Sequence, residues 1–165
     1  MGSSKGIRVA VVGGGSWATA LVKVLSENQV PLTWWMRDKE AMAFIQQHHR
    51  NPRYLSDAEL HLKRGSLQSD LAKAVAAADL VLLAVPAAFL RDALSVLHEN
   101  DFEDKVVVSA VKGMIPGENL LIGQFLAKYF RVPESRFMVL TGPCHAEEVA
   151  AEKLSFLTLA AQNAL

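Results

Sequence analysis

Six residues near the start of the chain, Gly13-Gly14-Gly15-Ser16-Trp17-Ala18, fit the pattern G-x-G-x-x-[GA]. Each position in such a run has a physical task. Gly13 permits a tight turn out of a strand. Gly15 has no β-carbon, so a pyrophosphate can approach the backbone. Ala18 is small enough for the following helix to pack closely on that strand. The first helical turn then offers unpaired N–H groups and a partial positive charge to the phosphates of a dinucleotide. The pattern alone is weak and gains meaning only between a strand and a helix. Residues 7–12 (IRVAVV) read as a strand buried on both faces. From Ser16, taken as a helix cap, to about Asn28 the chain reads as a helix with Ala20, Leu21, Val24 and Leu25 on one face. The competing reading is a glycine-rich turn with no ligand.

The other chemistry-bearing residues fall at the ends of further strands. Arg37 and Asp38 follow residues 31–36 (PLTWWM), where this kind of fold meets the ribose of a dinucleotide. An acidic residue there suits NAD and an arginine suits the 2′-phosphate of NADP, so Arg37 favours NADP, with NAD the alternative and Asp38 a candidate helix cap. Pro86 closes the strand 79–85 (DLVLLAV) at the edge where ligands sit in open α/β sheets. Lys112 follows the strand 105–110 and could hold a phosphate or polarise a carbonyl; an ordinary surface lysine is equally consistent. Gly142 and Pro143 follow residues 137–141 (FMVLT) and turn into a short helix over 145–152, whose N–H groups could face an anion. Cys144 beside His145 invites a thiol-nucleophile reading, which is discounted because neighbours on a helix point in different directions. His48-His49 lacks supporting ligands for a metal. Trp34 and Trp35 are adjacent on a strand, must face opposite sides of it, and read as packing residues.

These residues need strands separated by helices to bring them to one edge. The spacing supplies them: helices over 38–48, 70–78, 86–99 and 118–130, a loop over 111–117, a loop or short edge strand over 57–64, and a last strand over 155–160. The expected class is α/β, a Rossmann-type doubly wound, mainly parallel sheet with helices on both faces. At 165 residues and 51% hydrophobic, the chain suits one domain with a real core. We divide it into a short leader, 1–6, and a dinucleotide-binding domain, 7–165. Seventeen basic and seventeen acidic residues cancel, which argues against a nucleic-acid partner. No apolar run reaches membrane-span length, and a single cysteine fits a reducing, cytoplasmic setting.

With GGGSWATAL, WWMRD, NPRYL, VLLAVP, SAVKG and LTGPCHAEEVA in that order, the chain resembles the amino-terminal domain of bacterial NAD(P)-dependent glycerol-3-phosphate dehydrogenases. The resemblance implies reversible hydride transfer between NAD(P)H and dihydroxyacetone phosphate, giving sn-glycerol 3-phosphate for phospholipid synthesis. Carried over by position, it implies cofactor contacts at Gly13, Gly15, Ser16, Trp17, Ala18, Arg37, Tyr54, Pro86, Lys112 and Ala146. It implies substrate contacts at Lys112, Gly142 and Cys144. The motif ends in Ala18 where the family has glycine, a harmless change. Cys144 stands where the family commonly has serine, and a thiol is the poorer hydrogen-bond donor. The resemblance also implies a helical carboxyl-terminal domain carrying the acid/base lysine. The 165 residues are therefore expected to bind cofactor without turnover, with no catalytic residue of their own, and a full-length homodimer stays open. Two other readings are a different reductase with a related amino-terminal domain, and a non-enzymatic dinucleotide-binding module.

Overall fold

The computed structural model describes residues 6–162, so most of the expected leader lies outside the described residues. In chain order the elements are β1 (Val9–Val12), α1 (Ser16–Glu27), β2 (Leu32–Trp35), α2 (Lys39–His48), β3 (Leu67–Gln68), α3 (Leu71–Ala76), β4 (Leu80–Leu83) and α4 (Ala87–Leu94). There follow β5 (Val106–Ser109), the hairpin β6 (Met114–Ile115) and β7 (Leu120–Leu121), α5 (Ile122–Phe130), β8 (Phe137–Thr141), α6 (Ala146–Ala150) and β9 (Thr158–Ala161).

The main sheet has seven strands in the order β3-β2-β1-β4-β5-β8-β9. From β3 to β8 all neighbours run parallel, and only β9 is antiparallel, to β8. Successive side chains of a strand point to opposite faces, and the core divides accordingly. Ala10 and Val12 of β1 join residues of α3, α4 and α5 in one cluster; Val9 and Val11 join α1 and α2 in the other. Helices therefore cover both faces, as a parallel sheet of β-branched strands requires. Trp34 and Trp35 enter opposite clusters, in keeping with their adjacency on a strand. The chain works outward from β1 through β2 to β3, then crosses back to β4. The switch point lies between β1 and β4, where the carboxyl ends of the strands open a crevice.

Several sequence expectations change in detail. Ser16 is the first residue of α1 rather than its cap; Gly15 is the N-cap, in extended conformation and with no side-chain cap bond. The buried face of α1 includes Ala18, Thr19, Ala20, Leu21 and Val22, while Val24 and Leu25 are only half-buried. Residues 57–64 take the loop alternative, as irregular chain and turn, and the sheet edge beside β2 is β3. α4 stops at Leu94. The stretch expected to be a loop and the start of a helix is instead the β6–β7 hairpin, turned at Pro116-Gly117, and α5 starts only at Ile122. Asp38 does cap α2, its carboxylate accepting the Ala41 N–H at 3.0 Å. No described helix is long and apolar enough to cross a membrane.

Candidate cofactor-binding site

The glycine turn is fixed by its neighbours on three sides. The Gly13 N–H donates to the Trp35 carbonyl at 3.0 Å, and the Gly13 carbonyl accepts the Trp34 indole N–H at 2.6 Å. The φ of Gly13 is +137°, and a β-carbon there would stand 2.5 Å from the Ala84 carbonyl oxygen. β4 thus presses its end against the turn, and only glycine fits. Gly15 is different: a β-carbon there would meet nothing within 4 Å. Its open side faces the crevice, beside a helix start with no acidic residue in its first turn.

Two cavities flank this turn. One, of about 410 Å³, is lined by Gly13 to Gly15, Arg37, Asp38, Asn51, Arg53 and Tyr54. The other, of about 320 Å³, is lined by Ser16, Trp17, Lys112, Gly142, Cys144 and Ala146. Both include Val85 and Pro86, in the turn between β4 and α4. The structure thus brings the sequence-derived site residues to one edge, with one exception. Ala18 is fully buried in the core and lines neither cavity, so its place is the contact between α1 and the sheet.

Asn51 organises the first cavity. It is 1% exposed and uses both ends of its amide. Its Nδ2 donates to the Thr19 hydroxyl at 2.9 Å and to the Gly14 carbonyl at 3.4 Å. The Thr19 hydroxyl in turn donates to the Gly15 carbonyl at 2.9 Å. Its Oδ1 accepts the backbone N–H groups of Arg53 and Tyr54 at 3.0 and 3.3 Å. One buried side chain therefore ties the glycine turn to the 51–54 loop. Arg53 also reaches the Asp38 carboxylate at 3.0 Å. Asn51, Arg53 and the indole of Trp34 carry no site role that sequence alone reveals. The signal available was an Asn-Pro turn, in which an asparagine oxygen commonly accepts N–H groups two and three residues on.

The second cavity is closed by the chain leading into β9. Gly142 has φ +149°, and a β-carbon there would overlap the Phe156 carbonyl. The Cys144 thiol donates to that same carbonyl at 2.9 Å. Cys144 precedes α6 rather than lying on it, and His145 is the N-cap. Behind this rim, Ala146 and Val149 of α6 pack on Ala20 of α1.

The far end of α6 is clamped by Lys23, 5% exposed, which pairs with Glu27 and, at 2.8 Å, with Glu152. Burial works against the Lys23 charge, but the hydrogen bonds and charges of Glu152 and Glu27 outweigh it and raise its pKa. The hydrogen bond from Lys23, then its charge, lowers the pKa of Glu152. A lowered carboxylate contributes stability above its ordinary range and loses it as pH falls through the depressed value. A raised lysine loses its contribution only as pH climbs through the raised value. The clamp is therefore intact at neutral pH and releases first in acid. Glu152→Gln is expected to lower the protection of residues 146–152 against amide exchange at neutral pH to the level that wild type shows only in acid. Equal exchange in both proteins at neutral pH would remove the clamp from the account.

A glycine turn at a topological switch point, flanked by two cavities along the carboxyl edge of a parallel sheet, defines a dinucleotide-binding domain of the doubly wound class. The family model described as NAD-dependent glycerol-3-phosphate dehydrogenase N-terminus matches residues 8–165, and the chain belongs to that family. The chain is 37% identical over 155 residues to glycerol-3-phosphate dehydrogenase [NAD(P)+] of Ectopseudomonas mendocina, covering 94% of this chain and 44% of that protein. It is 38% identical over 144 residues to the enzyme of the same name from Thermobifida fusca, covering 87% and 43%. Among solved structures, glycerol-3-phosphate dehydrogenase from Coxiella burnetii matches with TM-score 0.83 at 24% identity, over 96% of this chain and 47% of that one. The Saccharomyces cerevisiae enzyme matches with TM-score 0.81 at 26% identity, over 97% and 48%. The chain spans about half the length of the relatives it matches. Its relatives are NAD(P)-dependent oxidoreductases, and it is an NAD(P)-binding domain of that kind.

Proposed function

We propose that this chain supplies the cofactor-holding half of an active site that transfers hydride between NAD(P)H and dihydroxyacetone phosphate, yielding sn-glycerol 3-phosphate for phospholipid synthesis in the cytoplasm. The observation that carries the reading is the meeting of two cavities at Val85–Pro86, one beside Arg37 and Tyr54 and the other beside Lys112 and Gly142. The open side of Gly15 and the start of α1 fit a pyrophosphate. Gly13, Gly15, Ser16, Trp17, Arg37, Tyr54, Pro86, Lys112 and Ala146 would hold the dinucleotide, and Ala18 would serve it only by letting α1 pack close.

When bound, the nicotinamide supplies or accepts the hydride. The chain's own residues orient and stabilise. Lys112 is exposed on the rim of the second cavity, where an ammonium can hold a phosphate or stabilise charge growing on a carbonyl oxygen. Gly142 shapes the opposite rim. Cys144 is a weaker candidate for a substrate contact, because its thiol proton is already given to the Phe156 carbonyl. The proton for the C2 alkoxide is assigned to a lysine outside these 165 residues, as the family resemblance implies.

The test compares the 165-residue chain with its full-length parent. The chain is expected to bind NADPH or NADH, seen as a change in nicotinamide fluorescence, and to oxidise neither with dihydroxyacetone phosphate. The full-length protein is expected to do both. A chain that binds neither nucleotide, or a parent that prefers another ketone, would overturn the reading.

A further inference from the structure

We infer that Arg53 is a specificity-determining residue, forming with Arg37 a two-guanidinium subsite for a phosphate on the 2′ position of the cofactor's adenosine ribose. The inference rests on the dinucleotide reading above and adds to it which nucleotide the site selects.

The argument begins with Asp38, the acidic residue at the end of β2, where a carboxylate would hold the hydroxyls of an unphosphorylated ribose. That carboxylate is already engaged on both oxygens. Its Oδ1 accepts the Ala41 N–H as the cap of α2, and its Oδ2 pairs with Arg53. A cap and a cation together make it a poor acceptor for two further hydroxyls. Arg37, by contrast, has no acidic partner among the described ion pairs and stands exposed on the same cavity wall. Among the described residues, Arg37, Asp38 and Arg53 are the only charged ones lining that cavity, which leaves it one positive charge in excess. The start of α2 adds the partial positive charge of a helix amino terminus.

Arg53 is also held in place rather than left on a loose loop. Asn51 binds the Arg53 backbone N–H with one end of its amide, and Thr19 and Gly14 of the glycine turn with the other. The distance from the pyrophosphate cradle to the Arg53 backbone is thereby set by one buried side chain. The Arg53 side chain is 62% exposed, and its guanidinium has donors to spare after its bond to Asp38. Two such planar forks on one wall match a phosphate dianion better than they match a neutral diol.

The experiment measures dissociation constants of the chain for NADPH and NADH, with adenosine 2′,5′-bisphosphate and adenosine 5′-phosphate as competitors that isolate the subsite. Wild type is expected to prefer NADPH and the 2′-phosphorylated competitor. Arg53→Ala should weaken NADPH binding by about tenfold, the loss of one charge-assisted hydrogen bond, while NADH binding holds or tightens because Asp38 Oδ2 loses its cation. Arg37→Ala, at a position free of ion pairs, should weaken NADPH binding alike, and the double variant should abolish the preference. Equal losses for both nucleotides, no loss for either, or a wild-type preference for NADH would each overturn the inference while leaving the dinucleotide site intact. Binding of neither nucleotide by wild type would overturn the dinucleotide reading, and this inference with it.

Discussion

Gly13→Ala is expected to destabilise the chain by about 4 kcal/mol and to abolish dinucleotide binding, since a strained backbone and an overfilled contact each cost about 1–3 kcal/mol. The added methyl would meet the Ala84 carbonyl, a backbone atom that cannot swing aside, and the residue would hold a φ of +137° that side chains avoid. Relief requires β1 and β4 to part at the end where the crevice opens. Gly15→Ala is the control. Its φ of −82° is ordinary, and its β-carbon would meet nothing within 4 Å. Its stability should stay within about 0.5 kcal/mol of wild type, as for an open surface position. Its affinity for either nucleotide should still fall by about tenfold or more, because the methyl occupies the pyrophosphate's approach. Urea denaturation and nicotinamide fluorescence on both variants separate the two effects. A Gly13→Ala protein as stable as wild type would refute the steric account. A Gly15→Ala protein with unchanged affinity would refute the assignment of its open side to phosphate.

Asn51→Ala is expected to cost about 2–4 kcal/mol of stability, because a buried network that loses its centre leaves several polar groups unpaired. The N–H groups of Arg53 and Tyr54 would lose their acceptor, and the Thr19 hydroxyl and Gly14 carbonyl their donor. Binding of NADPH and NADH should weaken together, in contrast to Arg53→Ala, because the whole 51–54 loop would come free of the glycine turn. Asn51→Asp should rescue little. It keeps the acceptor for the two N–H groups but replaces the donor with a buried carboxylate facing a carbonyl. Thermal melts and the two dissociation constants read this directly. Selective loss of NADPH binding in Asn51→Ala would mean that the residue acts on the ribose subsite alone.

The sheet was legible in the sequence because its signals are local. Runs such as VLLAV and KVVVSA are short, β-branched and punctuated by glycine or proline, and each became a strand of the parallel sheet. The glycine turn was legible for the same reason. The β6–β7 hairpin was not, because two-residue strands carry no alternation and Pro116-Gly117 reads as loop whether or not its flanks pair. Site residues at strand ends could be found by position. For Asn51 only the local turn with Arg53 and Tyr54 was legible, since its other partners lie 32 and 37 residues earlier in the chain. The pairing of Asp38 with Arg53, and of Cys144 with the Phe156 carbonyl, likewise joins segments whose approach only the folded chain creates. Ser16 has the residue type that usually caps a helix, but here an extended glycine precedes it and takes that place.

Among the described residues, the cleft's two cavities share only Val85 and Pro86 in their linings, and separate contacts brace them. Trp34 and Asn51 support the side nearest Arg37, while Lys23, Glu152 and the Phe156 carbonyl support the side nearest Gly142. In evolutionary terms this makes them two heritable modules on one scaffold. Substitutions around Arg37 and Arg53 therefore leave untouched the contacts that brace the rim at Gly142 and Cys144. A redesign of coenzyme use could follow the same division.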